Sequence, residues 1–222
     1  MRTKTMSASG WRYTPRSVPA MTALAAAFAA ALLALALSAL PAQSAERSAT
    51  ERNTVDRSAT VPVTGGRTLL ELDSGTAAAL SDAGIVIRAT GPAIGPAGSN
   101  LFAFPIVGGE VNKKQLSGRI VHSGGLAITA GDTTLVVKRF VIDLDSGLLT
   151  AKVAGAGVRI PLLRLGAVTG GVNTAPGVLV LNGVNVRLTG TAATALNQTF
   201  DTNLFERGLL IGQATVIART GV

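Results

Sequence analysis

The feature that most constrains this chain is a series of short apolar runs, separated by glycine-rich turns, from residue 65 onward. Apolar and polar residues alternate within the runs, a pattern typical of β-strands with one buried face. Strands are predicted near residues 67–72, 85–89, 101–107, 117–122, 125–130, 157–165 and 209–218. The pattern predicts one all-β domain over residues 65–222, either an antiparallel β-sandwich or a flattened barrel.

A β-hairpin is predicted over residues 139–153, RFVIDLDSGLLTAKV, from the register of its apolar residues. A two-residue turn at Ser146-Gly147 pairs Ile142 with Ala151 and places all the apolar side chains on one face. Asp143 then lies on the outer face. The parity of the apolar residues changes just before this hairpin, which predicts a β-bulge near Lys138-Arg139.

A second hairpin is predicted in GVLVLNGVNVRL, residues 177–188. Asn-Gly is a favoured pair for a tight type I′ turn, and here it occupies positions 182 and 183. That turn pairs Leu181 with Val184 and leaves Arg187 on the outer face.

Two short helices are predicted where a strand runs into a Gly-Thr-Ala step. The segments LELDSGTAAAL (70–80) and VRLTGTAATAL (186–196) share this arrangement. Serine, threonine and aspartate at such steps satisfy the first main-chain N–H groups of a helix. Each strand-then-helix unit is expected to cover one end of the sandwich or barrel.

Residues 1–45 are predicted to be a secretory signal peptide. A basic stretch without acidic residues precedes a run of alanine and leucine, and PAQSAE follows. Cleavage is expected after Ser44 or Ala45, and the alternative is an uncleaved membrane anchor. Residues 46–64, in which RSAT occurs twice, are predicted to form a flexible polar linker. The protein is therefore expected to be secreted or in the cell envelope, touching the membrane only through the leader before cleavage.

The charge of the chain depends strongly on this leader. The full chain carries a net charge of +8, but residues 1–45 hold four basic and no acidic residues. The remainder has 16 basic and 12 acidic residues, a net charge of +4. These basic residues are scattered along the sequence, whereas a nucleic-acid surface needs clustered charge and aromatic stacking. No nucleic-acid partner is expected.

The residue types that are missing also exclude several kinds of chemistry. The chain has no cysteine, and its only tryptophan and tyrosine, Trp11 and Tyr13, lie in the leader. Disulfides, thiolate nucleophiles and cysteine-ligated zinc are excluded, so stability has to come from burial of a core. No metal site, no paired carboxylates and no GxSxG motif stand out, and no catalytic residues are assigned.

The exported protein is expected to begin at Ala45 or Glu46 and to absorb almost nothing near ~280 nm, since its only aromatic residues are phenylalanines. Intact-mass measurement on protein from the culture medium checks the first expectation, and an absorbance spectrum checks the second. A membrane-bound product that retains Met1 contradicts both.

The single histidine of the chain, His122, lies in IVHSGGLAI and is followed by Ser123, Gly124 and Gly125. These four residues are the candidate ligand-binding site. Neighbouring residues on a strand point to opposite faces, so Ser123 is badly placed to act with His122 as a catalytic pair. The alternative is a polar residue at the end of a strand, with the two glycines forming a turn.

The segment FAFPIVGGEVNKKQLSGRIVHSGGLAITAGDTTLVVKRFVIDLDSGLLTAKV (102–153) resembles the HtaA-type domains of secreted and wall-associated bacterial proteins. The later segment VLNGVNVRLTGTAATALNQTF is compatible with that resemblance. The resemblance implies a β-rich fold and an envelope location. Some members of the family bind haem through a tyrosine that a histidine supports. His122 lies close to the family's histidine, and the tyrosine has no counterpart here.

These observations predict a monomeric, exported, non-catalytic binding or structural module of the cell envelope. Its partner is expected to be an envelope component or a small hydrophobic ligand, and no cofactor is assigned. One alternative is a carrier of haem or another hydrophobic ligand, which a deep apolar pocket beside His122 would favour. The other is a hydrolase, which a serine or aspartate oxygen within hydrogen-bond reach of the ring would favour. A filled core with a solvent-facing His122 would favour the structural module.

Overall fold

The computed structural model of the protein describes residues 60–96 and 98–221. The predicted signal peptide over residues 1–45 and residues 46–59 of the predicted linker lie outside the described residues. Strands and helices follow one another as β1 (Thr60–Leu72), α1 (Ser74–Asp82), β2 (Ile85–Thr90), β3 (Leu101–Asn112), β4 (Ser117–His122), β5 (Gly125–Ala130), β6 (Thr133–Asp143), β7 (Leu148–Val153), β8 (Arg159–Val168), β9 (Val172–Asn173), β10 (Val178–Leu188), α2 (Gly190–Phe200) and β11 (Leu210–Thr220).

The strands form a closed antiparallel barrel. Eight of them follow the order β6-β4-β3-β1-β11-β10-β8-β7, and pairing between β7 and β6 closes the ring. β5 and β2 extend the sheet beyond the first half of β6, and the short β9 pairs with β10. The predicted all-β class and the two short helices are confirmed, with a barrel as the form.

The barrel interior is filled by alternate residues of the strands, as period-two patterning requires. The most completely buried large side chains among the described residues are Phe102, Ile120, Ile142, Leu179, Val111, Val137 and Val186. All of them are apolar, so burial of hydrophobic surface is the main source of stability in this cysteine-free domain.

The first strand begins earlier than the sequence pattern predicts. The linker prediction extends to residue 64, but Thr60 already pairs with Asn112 of β3, and Val63 is buried. Strand β1 continues through Gly65 and Gly66, which in the sequence resemble the boundary between linker and domain. A side chain at Gly66 would collide with the main-chain oxygen of Ile217 on β11, so glycine permits close strand packing there.

The hairpin of β6 and β7 forms, but its predicted register is wrong. Ile142 pairs with Leu149 instead of Ala151, and a four-residue turn, residues 144–147, replaces the two-residue turn. Asp143 explains the longer turn, because its Oδ1 accepts hydrogen bonds from the main-chain nitrogen and the hydroxyl of Ser146, both at 2.9 Å. The strands are displaced by an even number of residues, so the predicted faces survive: Ile142 and Ala151 are buried.

The predicted bulge before this hairpin is confirmed. The β6–β7 register shifts between Lys138 and Val141, and Arg139 has a φ of 54°. At the same point β6 changes neighbours: residues 133–138 pair with β5, and residues 141–143 pair with β4. The bulge therefore lets one strand belong both to the barrel and to its extension.

The predicted Asn182-Gly183 hairpin is wrong. Residues 178–188 form the continuous strand β10, and both halves pair with β11. The register shifts between Leu181 and Val184, so Asn182-Gly183 is a bulge, and Gly183 has a φ of 65°. A bulge with one extra residue and a two-residue hairpin both return Leu181 and Val184 to the same face. Local patterning therefore does not distinguish between them.

Both helices begin with a side-chain cap at the predicted step. The Asp73 carboxylate accepts a hydrogen bond from Thr76 N at 2.9 Å, and the Thr189 hydroxyl accepts one from Ala192 N at 3.2 Å. In the described part of the chain, neither helix has the length and apolar character needed to cross a membrane.

Candidate functional site

The histidine of the sequence prediction lies inside the barrel. His122 ends β4 opposite Ile106 of β3, and only 3% of its surface is exposed. Its Nε2 forms a 2.7 Å hydrogen bond with Oγ1 of Thr68, which is itself buried on β1. Either atom can donate, depending on the tautomer of the ring. His122 is therefore an interior residue and not a solvated strand end.

One wall of a small interior cavity is formed by the His122–Thr68 pair. The cavity has a volume of about 50 Å³, and the rest of its lining is apolar. Phe104 and Phe140 lie in this lining with their rings edge to face at 5.1 Å. The other lining residues are Leu70, Leu126, Ile142, Leu149, Leu162, Leu163, Leu165, Val186 and Ala214.

Burial keeps the ring of His122 neutral. Loss of solvent lowers its pKa from 6.5 to about 4, because an apolar interior disfavours the charged imidazolium. The main chain at Phe140 and Ile120 partly offsets this shift. Neither, however, forms a hydrogen bond of acceptable geometry with Nδ1, which is buried without a partner among the described residues.

The other three candidate residues stand beside His122 without lining the cavity. Ser123 is half-buried, and its main-chain nitrogen donates to the carbonyl of Pro105 at 3.0 Å. Gly124 packs so tightly on Ala93, and Gly125 on the main chain of β6, that a side chain at either would collide. The geometry gives both glycines a packing role and leaves His122 as the residue that faces the interior.

The residues around His122 do not fit haem. Pockets for ligands of drug size measure roughly 300–1,000 Å³, far more than the 50 Å³ of this cavity. Nε2 of His122 is engaged by Thr68, and a tyrosine is absent from the described residues. In the described ranges, likewise, His, Asp and Glu side chains nowhere gather in a group of three or more that could hold a metal ion.

Thr68 is the partner that the sequence prediction omits. Its signal is present in RTLLEL, because Thr68 shares the parity of the inward residues Leu70 and Leu72. A hydroxyl on the buried face of a strand needs a hydrogen-bond partner. The partner is 54 residues away in the sequence, and only barrel closure brings the two together.

Fold and site define an all-β barrel with a mostly apolar interior and one buried, neutral histidine. A solved structure with a similar fold is the C-terminal domain of HtaA from Corynebacterium glutamicum. The two superpose with a TM-score of 0.54 at 14% sequence identity, over 72% of this chain and 99% of that domain. The predicted resemblance to HtaA-type domains is thus confirmed for the fold. No family model and no curated protein sequence matches the chain.

Proposed function

We propose that this protein is an exported, non-catalytic binding module of the cell envelope, in which a closed barrel displays a binding surface. The observation that carries the non-catalytic part of the proposal is the position of His122. Its ring is sealed in an apolar interior, and Thr68 supplies its hydrogen bond.

That environment suits packing better than catalysis. A general base works best with a pKa near the operating pH, and a pKa of about 4 makes His122 a weak base at neutral pH. A hydrolase of the serine type also needs a carboxylate to orient the ring, and the side-chain partner of His122 is a threonine hydroxyl. The fold shared with the HtaA domain supports the envelope assignment.

A second candidate is a carrier of a small apolar ligand. The apolar cavity and the unpartnered Nδ1 of His122 favour it, since a guest with one polar atom would satisfy that nitrogen. The cavity volume limits such a guest to a few non-hydrogen atoms. It is smaller than the ~150 Å³ engineered cavity that accepts benzene.

Co-sedimentation of the secreted protein with isolated envelopes of the producing bacterium tests the first proposal. Wild type and His122→Gln are both expected in the pellet in equal amounts, because the barrel interior does not contact the envelope. If the wild type stays in the supernatant, the envelope-binding proposal is wrong. If a folded His122→Gln protein alone stays in the supernatant, the interior site is the functional one and the second candidate replaces the first.

A further inference from the structure

A concave surface on the outside of the barrel gathers three arginines. It has a volume of about 400 Å³ and lies where β7, β8 and β10 meet the first turn of α2. Arg164, Arg187 and Arg207 line it and are all exposed.

Two of these arginines oppose each other directly. Arg164 of β8 and Arg187 of β10 are cross-strand partners in the antiparallel pairing. Like charges in this position destabilise a sheet unless a counter-charge lies between them. No carboxylate supplies that charge within the described ranges, where the one ion pair joins Arg119 to Asp143 elsewhere on the barrel.

The three guanidinium groups are available for a ligand. Arg187 donates one hydrogen bond, from Nη1 to the Gly208 carbonyl at 3.0 Å, which holds its side chain over the pocket. The side chains of Arg164 and Arg207 have no hydrogen-bond or ion-pair partner among the residues that the structure describes. The stem of Arg207 lies close to Gly190, the first residue of α2. Three positive charges thus border one concavity.

We infer that this three-arginine pocket binds a phosphate group. The inference rests on the proposed function and names the chemistry that an envelope ligand would present. Guanidinium groups bind phosphate oxygens through paired, charge-assisted hydrogen bonds, and three of them match a group with several anionic oxygens. The positive end of α2 adds to the same field. A bound phosphate would also relieve the repulsion between Arg164 and Arg187.

Calorimetric titration of the secreted protein with inorganic phosphate at constant ionic strength tests the site. Arg164→Gln and Arg187→Gln are each expected to weaken binding about tenfold, the loss of one charge-assisted contact. Arg88→Gln is the matched control, because it removes another exposed arginine from β2, which does not border the pocket. Its affinity is expected to equal that of the wild type.

Thermal melts add a readout that does not depend on calorimetry. Phosphate should raise the Tm of the wild type above its value in sodium chloride of equal ionic strength, and this increment should shrink in both pocket variants. Phosphate also stabilises proteins by exclusion from their surface, an effect that the Arg88→Gln control retains. If the wild type fails to bind phosphate, or if the pocket variants bind it as the wild type does, the three-arginine pocket is not a phosphate site.

Vesicles distinguish the two sources of such a group, a lipid headgroup and a phosphate on a free or wall-attached molecule. Arginine-dependent binding to phosphatidylglycerol vesicles, with none to phosphatidylcholine, assigns the headgroup. Phosphate binding without vesicle binding assigns the other source. The envelope co-sedimentation is independent of this result. If the wild type binds envelopes but no phosphate, this inference fails while the proposed function stands, and arginine-dependent phosphate binding without envelope binding gives the reverse.

Discussion

Replacing Ile142 by alanine is expected to lower the free energy of unfolding by about 2–5 kcal/mol. Ile142 is 2% exposed and packs between its cross-strand partners Leu149 and Ile120. It also lines the interior cavity, so the space left by the substitution joins an existing void that its neighbours do not fill. Urea denaturation of wild type and variant measures the difference.

Lys152→Ala is the matched control on the same hairpin. Lys152 faces Lys138 across the β6–β7 ladder on the outer side of the sheet, so its removal should change stability by no more than about 0.5 kcal/mol. Equal costs for the two substitutions would mean that Ile142 does not face the barrel interior.

Acidification is expected to destabilise the protein between pH 6.5 and about 4 because of His122. Its pKa is about 4 in the folded protein and near 6.5 in the unfolded chain. The unfolded state therefore binds more protons across this range, and the free energy of unfolding falls as the pH falls. At about 1.4 kcal/mol per pH unit, the total loss is about 3 kcal/mol. Above pH 6.5 the stability contributed by the neutral ring is fully present.

The His122→Gln variant isolates this effect, since glutamine keeps a hydrogen-bonding group beside Thr68 and does not titrate. In denaturant melts from pH 7.5 to pH 4, the free energy of unfolding should fall with pH in the wild type and should fall much less in the variant. Asp143, whose pKa is lowered chiefly by the Ser146 main-chain hydrogen bond, contributes stability that is lost only as the pH falls below 3.8. The same slope in both proteins would show that His122 is not buried and neutral.

The corrections to the predicted hairpins share one physical cause. Apolar alternation reports which face of a strand is buried, and it is unchanged by any displacement of an even number of residues. It therefore placed Ile142 and Ala151 on the inner face while leaving their pairing open. The turn of the first hairpin was decided by the Asp143–Ser146 hydrogen bonds, and the path of the second segment by pairing of both its halves with β11.

Unlike those hairpins, the arginine pocket and the Thr68–His122 pair depend on contacts between residues that are far apart in the sequence. Arg164 and Arg187 look like isolated charges in the sequence, and only the pairing of β8 with β10 makes them neighbours. Arg207 joins them through the turn that leads into β11, where Arg187 is bonded to the Gly208 carbonyl. Scattered charge in the sequence therefore became a clustered surface in the barrel.

The sequence by itself determined the class of this fold, the bounds of strands such as β4 and β5, the bulge before Phe140 and the capped starts of both helices. Each of these depends on interactions between residues a few positions apart, which alternation, glycine and capping residues report directly. The tertiary structure alone decided the closure of the barrel, the continuity of β10, the burial of His122 and the meeting of the three arginines. Those features depend on contacts between strands far apart in the sequence, and their free energy is spread over the whole interior.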